Sequence, residues 1–202
     1  MFKFIFFDLD GVFRHWNPED VALIERDAKL PVGAIMKTAF CPGLLLPAIS
    51  GKITDEEWRS AISARLQFDF PTCKVNRVVE LWSRSPGSID PDVIGVIENL
   101  SAHLSVGLIT NATSRLNSDL DRLGIVQRFA AIINSSEVGF PKPGEEIFRH
   151  ALDRQGISAD QAFFVDDSRE NVLAASAIGI EGHVFETASS LRAELNRRGL
   201  LR

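Results

Sequence analysis

Two aspartates one residue apart, Asp8 and Asp10, and two adjacent ones, Asp166 and Asp167, are spaced in a way that could do chemistry. Between them in the chain lie Thr110-Asn111 and a lysine, Lys142, framed as Phe140-Pro141-Lys142-Pro143-Gly144. Four carboxylates gathered at one point cannot all stay ionised without positive charge. Lys142 supplies some of that charge, and a hard divalent cation supplies the rest. Oxygen-rich sites of this kind suit Mg²⁺, which keeps waters and phosphate oxygens in its shell. The natural ligand is then a phosphate. In an extended chain Asp8 and Asp10 point the same way while Leu9 points back. One carboxylate can attack phosphorus to form an acyl phosphate, and the other can move protons to the leaving group and from water. Gly11 lets the backbone turn sharply beside the metal, and the two prolines stiffen the loop that aims Lys142.

These residues need a scaffold that brings them together. Four short apolar runs, Phe2–Phe7, Leu104–Ile109, Ala130–Ile133 and Ala162–Val165, are too short for helices and apolar on both faces. Strands buried between two helical layers have this character. A fifth strand is expected around His183–Phe185. Helices are expected over Asp92–Ala102, Ser114–Leu123, Gly144–Gln155, Arg169–Ile178 and Ala188–Arg198, several ending at a glycine. Alternating strand and helix means an α/β fold, a Rossmann-like open parallel sheet with helices on both faces. Each candidate residue lies at or beyond the carboxyl end of a strand, where open parallel sheets bind ligands.

Residues from about 17 to 87 break the rhythm and read as helices only: Glu19–Lys29, Val32–Phe40, Leu44–Ser50, Thr54–Gln67 and Lys74–Ser83. Thr54 is a capping residue with acids in the turn behind it. The expected division is an α/β core of residues 1–14 and 88–202, with residues 15–87 as an all-α cap inserted after the first strand.

The segments Phe7-Asp8-Leu9-Asp10-Gly11-Val12, Leu108-Ile109-Thr110-Asn111, Lys142-Pro143 and Phe164-Val165-Asp166-Asp167-Ser168 resemble the four motifs of the haloacid dehalogenase-like hydrolase superfamily, in order. The resemblance covers nearly the whole chain. The helical insert stands where members with a small helical-bundle cap carry theirs, between the first and second motifs. The resemblance implies Asp8 as nucleophile, Asp10 as general acid/base, Thr110 and Asn111 as phosphate binders and Lys142 as charge clamp. It implies Mg²⁺ held by the Asp8 carboxylate, the Asp10 carbonyl and a fourth-motif acid. Asp167 is the direct ligand in this alignment, with Asp166 acting through water or orienting Lys142. Gly11 and Arg14 complete the candidate substrate-binding set. Either Arg14 or His15 would reach the non-phosphate end of a substrate, against the reading of an exposed hinge residue without a role. Trp58 and Trp82 read as cap core, Ser168 as a helix cap, and His103, His150 and His183 as structural.

Within the family, metal-independent 2-haloacid dehalogenases typically lack the second acid, so Asp10 favours a phosphatase of small phosphorylated metabolites such as sugar phosphates or short hydroxy-acid phosphates. A phosphosugar mutase and a non-catalytic metabolite-binding protein are the rival readings. The chain has 202 residues, 45% of them apolar, and a formal charge of −5, which argues against a nucleic-acid or membrane binder. The apolar start is broken by Lys3 and stopped by Asp8, too short for an export signal. With two cysteines of no metal-type spacing, the expected setting is the cytoplasm, as a monomer or homodimer.

Overall fold

The alternation of Phe4-Ile5-Phe6-Phe7 builds two hydrophobic layers from one strand. In the computed structural model, which describes residues Met1–Arg202, these four residues form β1 (Phe4–Phe7) and all are buried. Ile5 and Phe7 enter one apolar cluster, whereas Phe4 and Phe6 enter another on the opposite face. This is the period of two expected of a strand covered on both sides.

A two-residue strand β2 (Arg14–His15) follows. Next come helices α1 (Pro18–Asp27), α2 (Ala34–Ala39), α3 (Pro42–Ile49), α4 (Asp55–Asp69) and α5 (Val75–Trp82). After β3 (Ser88–Ile89) the chain alternates: α6 (Pro91–Ile97), β4 (Ser105–Thr110), α7 (Leu116–Leu123), β5 (Ala131–Asn134), α8 (Ser135–Val138), α9 (Glu145–Gln155), β6 (Ala162–Asp166), α10 (Arg169–Ala177), β7 (Glu181–Val184) and α11 (Ala188–Arg197). The main sheet is five-stranded and parallel, in the order β5-β4-β1-β6-β7. Residues of α6, α7 and α11 pack with the first cluster, and those of α9 and α10 with the second. The architecture is the expected α/β Rossmann-like one. Strand order reverses at β1, so the crevice for ligands opens beyond its carboxyl end, between β4 and β6.

The helices α1 to α5 carry an apolar cluster of their own, centred on Trp58, Ile62, Leu66 and Val78. Thr54 caps α4 reciprocally: its hydroxyl accepts from the Glu57 N–H at 3.2 Å, and the Glu57 carboxylate accepts from the Thr54 N–H at 2.7 Å. Thr54→Ala is expected to cost about 1 kcal/mol, read as a shift in a urea melt.

The structure corrects several expectations. At the expected junction of core and block, Arg14–His15 forms a short strand that pairs antiparallel with Ser88–Ile89, tying the block's two ends together. Two residues per strand are too few for any periodicity to reveal. The helix expected over Asp92–Ala102 ends at Ile97, because the next residues turn to the chain's carboxyl end. There Leu100 bridges Leu201, and the Ser101 N–H donates to the Leu200 carbonyl. The helix expected from Ser114 begins at Leu116, since the side chains of Thr113 and Ser114 are engaged with Asp55.

Candidate active site

Strand β1 delivers Asp8 to the head of the crevice, β4 delivers Thr110, and β6 delivers Asp166. All three residues are buried. Lys142 joins them from the loop after α8, its Nζ 2.8 Å from Asp8 Oδ1 and 2.6 Å from Asp166 Oδ2. The lysine is held from behind. The Asn111 side chain accepts from the Lys142 N–H at 2.8 Å and donates to the Lys142 carbonyl at 2.9 Å. Asn111, expected to bind phosphate, thus spends its amide on fixing the lysine's main chain.

The two fourth-motif acids stand in different surroundings. Asp166 has both oxygens filled: Oδ1 accepts from the Ser168 N–H and Asn171 Nδ2, and Oδ2 from Lys142 and Asn171. Asp167 is exposed. Partial desolvation and the Asp8 charge push its carboxyl above the usual range. Burial does the same to Asp8, opposed by Lys142 and reinforced by the charges of Asp166 and Asp10. Gly11, at φ +84°, gives Asp167 its space: a Cβ there would stand 2.2 Å from Asp167 Oδ2. Any side chain at position 11 would be strained and would collide with that carboxylate. Ser168 caps α10, accepting from the Asn171 N–H.

The residues present fit a hard cation. Carboxylate oxygens of Asp8, Asp166 and Asp167 lie within 4.8 Å of one another, and burial, with the charge of neighbouring acids, raises the carboxyls of Asp8 and Asp167. An all-oxygen donor set of this kind suits Mg²⁺ better than softer metals. Since the Asp166 oxygens are taken, Asp8 and Asp167 are the acids with coordination to offer.

Asp10 faces the helical block. Its Oδ1 accepts from Arg14 Nε at 2.6 Å and Trp16 Nε1 at 2.9 Å, and its Oδ2 from Arg14 Nη2 at 2.8 Å. Arg14 is buried, and its remaining Nη1 donates to Asp119 Oδ2 at 3.3 Å. Asp119, on α7, also pairs with Arg115 at 3.2 Å. Arg14 is therefore neither an exposed hinge residue nor a free substrate contact: two carboxylates occupy its guanidinium. Its companion His15 is exposed, with Nε2 3.5 Å from Asp90. The Asp10–Arg14–Asp119 chain escaped sequence reasoning because Arg14 and Asp119 are far apart in the chain. Its local traces were two spacings of four residues, Asp10 to Arg14 and Arg115 to Asp119.

The helical block closes on the sheet beside this chain. The Asp55 N–H donates to Ser114 Oγ at 2.9 Å, Thr113 Oγ1 to Asp55 Oδ1 at 2.8 Å, and Arg115 Nη1 to the Ser83 carbonyl at 2.8 Å. Trp58 and Trp82 meet edge to face with ring centroids 5.7 Å apart. Both pack in the block's apolar cluster, and both also line a cavity between block and sheet.

A family model described as haloacid dehalogenase-like hydrolase matches residues 72–184, more than half of the chain. The match includes Thr110, Lys142, Asp166 and Asp167, and starts after Asp8 and Asp10. A sesquiterpene phosphatase of Aspergillus oryzae is 26% identical over 186 residues, 90% of this chain and 88% of that protein. A phosphoglycolate phosphatase of Yersinia pseudotuberculosis is 35% identical over 91 residues, 44% of this chain and 39% of that protein's length. Among solved structures, a HAD family enzyme of Bacteroides thetaiotaomicron, in complex with magnesium and inorganic phosphate, superposes with a TM-score of 0.75 at 22% identity. That alignment covers 95% of this chain and 99% of that one.

Proposed function

We infer that this chain, which belongs to the haloacid dehalogenase-like hydrolase family, is a phosphatase that hydrolyses phosphomonoesters of small metabolites through an aspartyl phosphate on Asp8. The observation that carries the reading is the Lys142 ammonium seated between Asp8 and Asp166, with Asp167 open beside them. Relatives named as phosphatases support it.

In this reading the phosphate enters between Lys142, the Thr110 hydroxyl and the Asn111 main chain. Asp8, Asp167 and the Asp10 carbonyl would hold Mg²⁺, which would supply charge to balance the acids and the phosphate oxygens. The Asp8 carboxylate attacks phosphorus while the bond from phosphorus to the alcohol oxygen breaks. Protonated Asp10 gives its proton to the departing alkoxide. A water then attacks the acyl phosphate, losing its proton to Asp10 and releasing inorganic phosphate and free Asp8. To act as the acid, Asp10 must exchange Arg14 for a proton. Residues 15–87 serve as a cap that excludes water during the first step and opens for product release through the paired segments at Arg14 and Ser88.

Asp10 is what separates this reading from a dehalogenase, since attack on carbon leaves no alkoxide to protonate. The test is phosphate release from a panel of phosphomonoesters with Mg²⁺, beside halide release from 2-chloropropionate. EDTA is expected to remove the phosphatase activity and added Mg²⁺ to restore it. Halide release in EDTA with every phosphate ester untouched would sink the proposal.

A further inference from the structure

Building on that phosphatase reading, we propose that the alcohol half of the substrate is an apolar chain or ring system, held in the cavity between the helical block and the sheet. The cavity, of about 360 Å³, meets the site at Asp10 and Asn111 and extends among α1 to α5. Counting ~30 Å³ per methylene-sized group, about the share of one water in the liquid, it holds on the order of ten carbons.

Three observations define the occupant. First, 14 of the 29 lining residues are hydrophobic, Trp58, Trp82, Leu45 and Ile49 among them, and most of the surface they expose to the cavity is apolar. Second, four of the chain's exposed large apolar residues are gathered on this one cavity: Trp16, Val32, Met36 and Phe40, at 38%, 64%, 39% and 51% exposure. Scattered apolar surface needs no explanation, but a cluster lining a concavity beside a catalytic centre marks a binding face.

Third, the cavity offers no free cation to a second anionic group. No lysine or histidine lines it. Its three arginines are each committed: Arg14 to Asp10 and Asp119, Arg59 to Asp55 at 2.5 Å, and Arg115 to Asp119. Glu25, also in the wall, is spent on the N–H groups of Gly33 and Ile35 at the start of α2. A carboxylate or second phosphate on the substrate would meet acids without an unpaired partner. These features set the substrate apart from hydroxy-acid phosphates and bisphosphates, and favour a monophosphate with an apolar tail.

The test is kcat/KM with Mg²⁺ for monoalkyl phosphates from ethyl to dodecyl, below their micelle concentrations, beside phosphoglycolate and glucose 6-phosphate. Expected is a rise of about fourfold per methylene over the shorter chains, levelling near ten carbons, with phosphoglycolate no better than ethyl phosphate and therefore more than about a thousandfold below decyl phosphate. Met36→Asp, and separately Val32→Asp at the exposed rim, should lower decyl phosphate turnover more than about tenfold and spare ethyl phosphate. Phosphoglycolate or glucose 6-phosphate matching decyl phosphate would overturn the proposal while leaving the phosphatase reading intact. So would both variants slowing ethyl and decyl phosphate alike. No phosphate from any ester, or undiminished release by Asp8→Asn, would instead remove the phosphatase reading on which the proposal stands.

Discussion

Asp8→Asn is expected to lower phosphate release by a factor on the order of 10⁴ or more, because the covalent route has no other nucleophile. The same substitution should raise the melting temperature of the metal-free protein at neutral pH. Burial holds the Asp8 carboxyl above its ordinary value of 3.8, so the folded protein binds that proton more tightly than the unfolded chain. Its contribution to stability is therefore complete below the unfolded pKa and is lost as pH rises through the folded one. At neutral pH the ionised acid works against folding, and asparagine removes that cost. The amide oxygen of asparagine can still accept from the Leu9 N–H and from Lys142, as Asp8 Oδ1 does at 2.8 Å in each case. Phosphate release with Mg²⁺ checks the first outcome and scanning calorimetry in EDTA the second. A lower melting temperature would mean that Asp8 serves the fold and that its burial is not a standing cost.

The second large effect is expected from Lys142→Met, a substitution of similar shape that deletes the charge. Lys142 is 4% exposed and bonded to two buried acids. Removing one member of a buried ionic cluster costs about 3–5 kcal/mol, since the others are left uncompensated. The deficit should depend on pH in a direction opposite to ordinary acid denaturation. Without the ammonium, which opposes the upward push of burial on Asp8, that carboxyl takes up a proton more readily in the folded state than in the unfolded chain. Stability of the variant relative to wild type therefore recovers as pH falls. Urea melts at pH 5 and pH 8 in EDTA would show a smaller deficit at pH 5. An equal deficit at both would assign the loss to packing against Phe164, whose ring lies 5.4 Å from the ammonium, and not to stranded charge.

The features legible in the sequence are those that a short window can report. Asp8, Thr110 and Asp166 each end a buried strand, and runs of four to six apolar residues announce such strands without any tertiary information. The convergence of these residues follows from parallel topology, and the structure shows Asp8 and Asp166 together on Lys142, with Thr110 at the end of the strand beside β1. What the sequence did not disclose depends on contacts between distant segments. Arg14 meets Asp119, Asn111 clamps Lys142, and Arg14–His15 pairs with Ser88–Ile89. None of these has a period, and each joins residues that propensity treats separately. The cavity is further out of reach, because it is a property of how five helices sit over a sheet. Trp58 and Trp82 illustrate the limit: both belong to the apolar packing expected of them, and both also face open space.

The position of β1 in the sheet has a consequence for how the protein is made. It is the first of the five strands to be synthesised and stands at their centre, with Phe4 paired to Ser105 on one side and Ala162 on the other. Neither partner exists until the helical block has been translated, and the second arrives only after α9. Long-range pairing of this kind folds slowly and leaves apolar segments waiting. Phe4–Phe7 is such a segment, and it waits between Lys3 on one flank and Asp8 and Asp10 on the other. Charges that bracket an apolar strand keep it from pairing with strands of other chains. The two acids at the end of β1 thus protect the nascent chain before they meet a substrate.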